Sequence, residues 1–278
     1  MNRGIAPAIL LLVTLPVIVP GAELEFNTLM MESTFRIEGR GSLGTGFIVA
    51  KQSKKQPSKY LKVLITANHV LRDMEGTEAT MILHKRDASG EWARVPFKIA
   101  IRRGNLNLWS KHPKMDIAAM PVNLPEGVIR NFNTTERLFS DADIKRLEIH
   151  PGDRLFCLGF PLGAESSTAS FPVLRTGTIA SYPLIPTDKY TTFVLEFAVF
   201  PGNSGGPVYI VDPNRNYGGT FNLGVTVHGV MGILVKQRQL TTDIRTLYER
   251  RQVDIPLHLA DVIHARFIRE LVEALPDP

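Results

Sequence analysis

A serine hydroxyl becomes a nucleophile only when a base takes its proton and an acid orients that base. This chain of 278 residues offers a candidate for each part. Ser204 lies in Pro201-Gly202-Asn203-Ser204-Gly205-Gly206-Pro207, where glycines on both sides leave the backbone uncrowded. Such a turn can converge backbone N–H groups beside Ser204 Oγ, the layout of an oxyanion pocket. A plain Gly-Pro turn between strands is the competing reading, and the length of the string argues against it. His69, in Ile65-Thr66-Ala67-Asn68-His69-Val70-Leu71, is the best-placed base, at the end of an apolar strand with small Ala67 nearby. His84, His112 and His150 sit in polar surroundings, and His258 and His264 fall on an expected terminal helix. No histidine pair has metal-ligand spacing such as HExxH, so neither a metal nor another cofactor is expected. Asp116 opens the apolar run Asp116-Ile117-Ala118-Ala119-Met120. A carboxylate entering a core needs a hydrogen-bond partner, and an imidazole N–H would serve. A surface aspartate starting a strand is its plainer reading.

The elements that must hold these residues read as strands. Short apolar or alternating runs occupy 46–50, 62–70, 79–84, 95–101, 116–122, 154–160, 175–180, 192–197, 207–211 and 223–235. Gly (22) and Pro (19) punctuate them, which favours an antiparallel barrel or sandwich over a helical bundle. Helical patterns of crossover length are missing before residue 240, which argues against a parallel α/β sheet. Ser140-Asp141-Ala142-Asp143 starts a short helix and marks a joint between halves. After Pro256, Leu259, Val262, Ile263, Phe267, Leu271, Val272 and Leu275 fall at helical spacing, so an amphipathic helix is expected over 256–278. At the other end, Met1-Asn2-Arg3, the apolar stretch 5–19 and Pro20-Gly21-Ala22 have the order of a secretory signal. Cleavage near Ala22 would release a periplasmic or secreted protein; retention would leave it anchored. No other apolar run is long enough to span a membrane. The net charge of +5 is spread along the chain, with no basic arm for nucleic acid. The single cysteine, Cys157, excludes an intrachain disulfide and reads as a core thiol.

Together these segments resemble trypsin-like serine proteases of the chymotrypsin fold, and more closely the bacterial HtrA (Deg) branch. Gly44-Thr45-Gly46-Phe47 resembles the family's opening strand. Thr66-Ala67-Asn68-His69-Val70 is similar to its histidine motif, Asp116-Ile117-Ala118 to its aspartate motif, and Gly202-Asn203-Ser204-Gly205-Gly206-Pro207 to its nucleophile motif. Pro151-Gly152-Asp153, then Gly159-Phe160-Pro161-Leu162-Gly163, resembles the opening of a second barrel. Arg175 to Ser181 resembles the strand that follows.

The resemblance implies an all-β fold of two antiparallel six-stranded barrels with a C-terminal helix. It divides the chain into a signal (1–22), a barrel carrying His69 and Asp116 (23–140), a barrel carrying Ser204 (141–255) and the helix (256–278). It implies acyl transfer on polypeptide substrates: Ser204 attacks, His69 moves the proton, Asp116 holds the imidazolium. The N–H groups of Gly202 and Ser204 would bind the oxyanion, with Asn203 shaping the loop. It points to Ala198 and Leu234 as walls of the S1 pocket, with a small or medium apolar P1 residue. A second register brings in His228, which would favour Glu at P1. Too few residues follow Pro256 for a PDZ domain, so control by one is not expected. The charged stretch 236–252 reads as a solvated loop with a short helix, or as a rim over the cleft. A catalytically silent binding or chaperone-like pseudoprotease is the main alternative. An α/β-hydrolase esterase drawing on Asp243 and His258 fits less well, because a strand rather than a helix should follow Ser204.

Overall fold

The computed structural model describes residues 25–129, 133–219, 224–245 and 250–277. The expected signal at 1–22 lies outside the described residues. A short helix, α1 (Phe26–Glu32), leads into β1 (Thr34–Arg40), β2 (Ser42–Gln52) and β3 (Tyr60–Thr66). The helix α2 (Asn68–Arg72) follows at once, then β4 (Glu75–Arg86), β5 (Trp92–Ala100), the two-residue pair β6 (Arg102–Arg103) and β7 (Leu106–Asn107), β8 (Ser110–Lys111) and β9 (Ala118–Pro121). Seven of these strands form one antiparallel sheet in the order β5-β4-β1-β2-β3-β9-β8. Alternation drives it. Ile48, Leu64, Ile37 and Met81 turn into one core with Phe35 and Leu83, while the opposite faces of β2 and β3 give Phe47, Val49 and Ile65 to another.

A capped helix, α3 (Asp141–Arg146), joins the halves. Ser140 and Asp143 bond each other's backbone N–H, which satisfies two donors of its first turn. Then come β10 (Arg154–Gly159), β11 (Val173–Ile179), β12 (Thr192–Glu196), β13 (Pro207–Asp212), β14 (Val227–Arg245) and β15 (Arg250–His264). They close into a six-stranded barrel, β10-β11-β12-β15-β14-β13. Leu155, Cys157, Phe193, Leu195, Val208, Ile210, Leu234 and Val262 fill it. Burial pushes the Cys157 thiol up to about 12, as befits a packed core residue. The all-β fold is as expected; the strand count of six is met in the second half, while the first sheet has seven.

Two expectations need correction. The final helix, α4 (Ala265–Glu273), starts only at Ala265. Leu259, Ala260, Asp261, Val262 and Ile263 instead pair with β12, Leu259 opposite Glu196 and Ile263 opposite Thr192, and so close the barrel. Leu259, Val262 and Ile263 fit either period, and barrel closure decides between them. The stretch 236–252 is not a helix-bearing loop. β14 and β15 continue past the barrel as a two-stranded ribbon, paired from Gln239↔Pro256 to Arg245↔Arg250.

A third apolar cluster lies between the halves. Phe26 and Met30 of α1, Phe47, Ile65 and Ile117 of the first half, Leu158, Tyr209 and Ile233 of the barrel, and Phe267, Ile268 and Val272 of α4 meet there. A nine-residue helix such as α4 has little stability alone. Burying its apolar face contributes about 1.5–3 kcal/mol per large side chain. Lys51 of β2 caps its C-terminus, donating from Nζ to the carbonyls of Glu273 and Leu275 at 3.0 and 2.5 Å.

Candidate active site

His69 sits in α2, one turn past the end of β3 rather than in the strand. That short helix is held from outside. The Arg102 guanidinium donates to the carbonyls of Leu71, Arg72, Met74 and Gly76 at 2.7–3.0 Å. It also lies over the Trp109 ring, whose Nε1 donates to Asn68 Oδ1 at 3.0 Å. Asp116 reaches the same helix from the segment before β9. Its Oδ1 accepts the His69 backbone N–H at 2.9 Å, and its Oδ2 meets His69 Nδ1 at 2.5 Å. Desolvation alone would raise the Asp116 pKa. The hydrogen bonds and charge of His69 outweigh it and hold the carboxyl below its ordinary value. With Nδ1 bound to Asp116, the free imidazole nitrogen is Nε2.

Ser204 lies on the turn between β12 and β13. Gly202 and Gly205 have φ of 96° and 88°, which glycine alone adopts freely. A Cβ at Gly202 would lie 2.2 Å from the Phe160 carbonyl, and one at Gly205 would lie 2.0 Å from the Thr45 carbonyl. Gly205 N donates to Leu234 O at 2.8 Å, and Leu234 N to Gly206 O at 2.9 Å, so β14 clamps the turn. From the first sheet, Thr45 N donates to Ser204 O at 2.8 Å and Thr45 Oγ1 to Gly202 O at 2.7 Å. The turn thus packs on the residues around His69. A Cβ at Gly44 would touch both Val70 and the Ser204 carbonyl, and one at Gly205 would touch Thr66 Oγ1 and Ala67 N.

Neither the Gly202 nor the Ser204 N–H has an acceptor among the described residues. Asn203 is buried between them against Gly159. The Ser204 hydroxyl points to the Val235 carbonyl at 3.5 Å, its one hydrogen bond among the described residues. The Ser204–His69 bond is therefore not made in this state. Catalytic hydrogen bonds are often long or unmade without substrate.

This arrangement is a base–acid pair packed against a serine turn with two unclaimed N–H donors. The trypsin-like peptidase domain matches residues 44–214, more than half of the chain. The chain belongs to that family. Within it, two curated relatives are similar over 62% of this chain. One, from Marinomonas sp. (strain MWYL1), is 25% identical over 175 residues, and the other, from Pseudomonas fulva (strain 12-X), is 26% identical over 172. Each is described as a probable periplasmic serine endoprotease, DegP-like. The chain matches only 28% and 27% of their lengths. Among solved structures, Rv3671c of M. tuberculosis H37Rv, an inactive mutant form, is 16% identical with a TM-score of 0.47. That match covers 90% of this chain and 91% of the other. No argument below rests on that likeness.

The family's substrate side is placed unevenly by this chain. Ala198 is half-buried at the entrance to the serine turn. Leu234 contributes its backbone to the clamp, while its side chain is fully buried in the barrel core. His228 lies at the far end of β14, opposite Val211 and stacked on Phe26. It is about 20 Å from Leu234 at ~3.4 Å per strand residue, so the register that used it does not bring it to Ser204. Thr45, Arg102 and Val235 were missed by sequence reasoning as site residues. Thr45 carried a weak signal, standing between two glycines in the opening strand. Arg102 and Val235 carried none, because their partners are set by the fold. Among the described residues no group of His, Cys, Asp and Glu could hold a metal ion, and no helix is long and apolar enough to cross a membrane.

Proposed function

We propose that this chain is a serine endopeptidase that cleaves polypeptides through Ser204, His69 and Asp116. The observation that carries this is the packing of the Ser204 turn on the His69–Asp116 pair through Thr45. In the reaction, the Ser204 hydroxyl turns from Val235 O to His69 Nε2. His69 takes its proton as Oγ attacks the scissile carbonyl. Asp116, ionised and bonded to Nδ1, holds the ring in the required tautomer and stabilises the imidazolium. The N–H groups of Gly202 and Ser204 receive the oxyanion, with Asn203 setting their direction. His69 then returns the proton to the leaving amine, and water releases the acyl group by the same steps. Ala198 and the backbone at Leu234 border the P1 site, with a preference for small or medium apolar residues. Export to the periplasm or beyond is part of this reading, supported by the signal-like segment 1–22 and by the descriptions of the two curated relatives.

The turn of Ser204 toward Val235 also favours a second reading, a gated or silent protease that binds without cutting. Labelling by a fluorophosphonate probe, with casein digestion on the same samples, separates the two. Labelling and digestion that both vanish in Ser204→Ala and His69→Ala support the peptidase. A folded wild-type protein that takes no label overturns it.

A further inference from the structure

We propose that the free edge of β14, beyond the barrel, is an extended docking strand for the polypeptide substrate on the amino side of the scissile bond. This rests on the peptidase reading.

β14 is paired with β13 only from Val227 to Ile233, but with β15 from Gly232 to Arg245. From Lys236 to Arg245 the edge turned away from β15 therefore carries no strand among the described residues. That edge is about 33 Å long at ~3.4 Å per residue. A long unpaired edge is a template for another chain, and most proteins keep such edges short. This one begins at the nucleophile, since the Ser204 hydroxyl touches the carbonyl of Val235, the residue just before it. The edge is thus continuous with the site where a peptide must lie.

The direction of an added strand follows from the sheet. Every listed neighbour of β14 in the barrel runs antiparallel to it. A peptide added in the same sense runs from the ribbon tip toward Val235, so its C-terminal end arrives at Ser204. The residues along the ribbon then precede the bond to be cut. Main-chain hydrogen bonds supply the affinity in such β-addition, and side-chain surfaces supply preference.

The ribbon also has two unlike faces. Leu240 and Ile255 are cross-strand partners, as are Thr242 and Val253, so they share one face. Leu240 and Ile255 are 54% and 44% exposed there, and no third layer covers them. The opposite face is polar, with Thr241 Oγ1 donating to Asp254 Oδ1 at 2.6 Å. A two-stranded ribbon alone is marginal in water, and a third strand would strengthen it. At its root the exposed cation of Lys236 stands beside Arg238, whose guanidinium already engages Asp261 at 2.8 Å. The favoured occupant is an unfolded segment with apolar residues upstream and an acidic residue near the cut.

The test uses nested peptides that share one scissile bond taken from a casein digest, with roughly three and roughly ten residues upstream, the span of the edge. For wild type, kcat/KM should rise about tenfold or more from the short to the long peptide, since each main-chain bond adds about 1 kcal/mol or less. A variant with Gln239 joined to Pro256 through an Asn-Gly turn should lose that gain while its fluorophosphonate labelling rate is unchanged. A flat length series in wild type, or a gain kept by the variant, overturns the proposal. Full-length Ser204→Ala gives an arm that needs neither a shortened ribbon nor catalysis. It should bind the long peptide about tenfold more tightly than the short one, and alternate N-methylation upstream should abolish the difference. Equal binding of the two peptides overturns the docking strand. Absent labelling with the binding difference kept overturns the peptidase reading alone.

Discussion

Thr45 Oγ1 donates to the Gly202 carbonyl at 2.7 Å, from the first sheet to the serine turn of the second half. The same oxygen accepts the Phe160 N–H at 3.3 Å, and Thr45 is fully buried. Thr45→Val keeps the shape and removes both bonds, so a buried carbonyl and N–H are left unpaired. Stability should fall by about 1–3 kcal/mol. The oxyanion donors should drift as well, and kcat on an ester substrate should fall by about 10–100-fold. Urea midpoints and ester kinetics on one preparation test this. A stability loss with kcat within twofold of wild type would show that Thr45 does not position the turn.

Asp116→Asn leaves the size unchanged and removes the charge that faces His69 Nδ1. The ring is then free to adopt the wrong tautomer, and kcat should fall by about 10⁴-fold with little change in KM. The sign of the pH effect is set by the lowered Asp116 pKa. The stabilisation from its pairing with His69 is fully present above the ordinary value of 3.8 and is lost as pH falls through the lower, folded value. Deprotonation of Asp116 therefore cannot produce an activity limb near neutral pH. A limb that shifts in the asparagine variant without a collapse of kcat would contradict the assignment.

Arg102 is a positioning residue for α2, since it bonds four of the carbonyls at and after the end of that helix. Arg102→Met keeps the packing on Trp109 and removes the donors. Phosphonate labelling should slow by about tenfold or more while the circular-dichroism spectrum is kept. Arg102→Lys, with one compact donor group, should recover only part of the rate. Full rate in the methionine variant would rule the role out.

His84 and His264 are both buried, and burial lowers each pKa from 6.5 to about 4. His84 is stacked between Phe35 and Phe171, and its Nε2 bonds the Glu32 carbonyl at 3.0 Å. The unfolded chain binds more protons than the folded one between pH 6.5 and 4, so stability rises with pH across that window. Each histidine should cost about 3 kcal/mol by pH 4 relative to neutral pH. His84→Phe should flatten about half of the slope, measured by urea unfolding from pH 7 to pH 4.5. An unchanged slope in that variant would mean that His84 is not a source of the acid sensitivity.

The catalytic candidates were legible because their signals are local. The Gly202–Pro207 string needs its glycines for backbone angles fixed within the turn, and Asp116 opens its own apolar run. The strands of both halves were legible from alternation. The role of Thr45 was not, because its hydroxyl partner Gly202 is far along the chain and only the fold brings them together. The ribbon was hidden by its charges: Lys236, Arg238 and Asp243 look like solvated loop residues, and an exposed edge strand uses the same residues. The terminal helix was extended too far because Leu259, Val262 and Ile263 satisfy a helical period while pairing as a strand. The S1 register depended on an irregularity between Leu234 and Lys236, which no residue type announces.

The clamp on the serine turn has a consequence for the order of events during synthesis. His69, Asp116 and Ser204 have all been made once the ribosome passes Ser204, but Leu234, which fixes Gly205 and Gly206, has not. Nor have Ile263 and Phe267, which fill the seam between the halves. A growing chain therefore carries every reacting group well before it can align them. Cutting power arrives late and all at once, when the last barrel strand and the helix behind it settle, and the machinery that makes and moves the chain is spared in the interval.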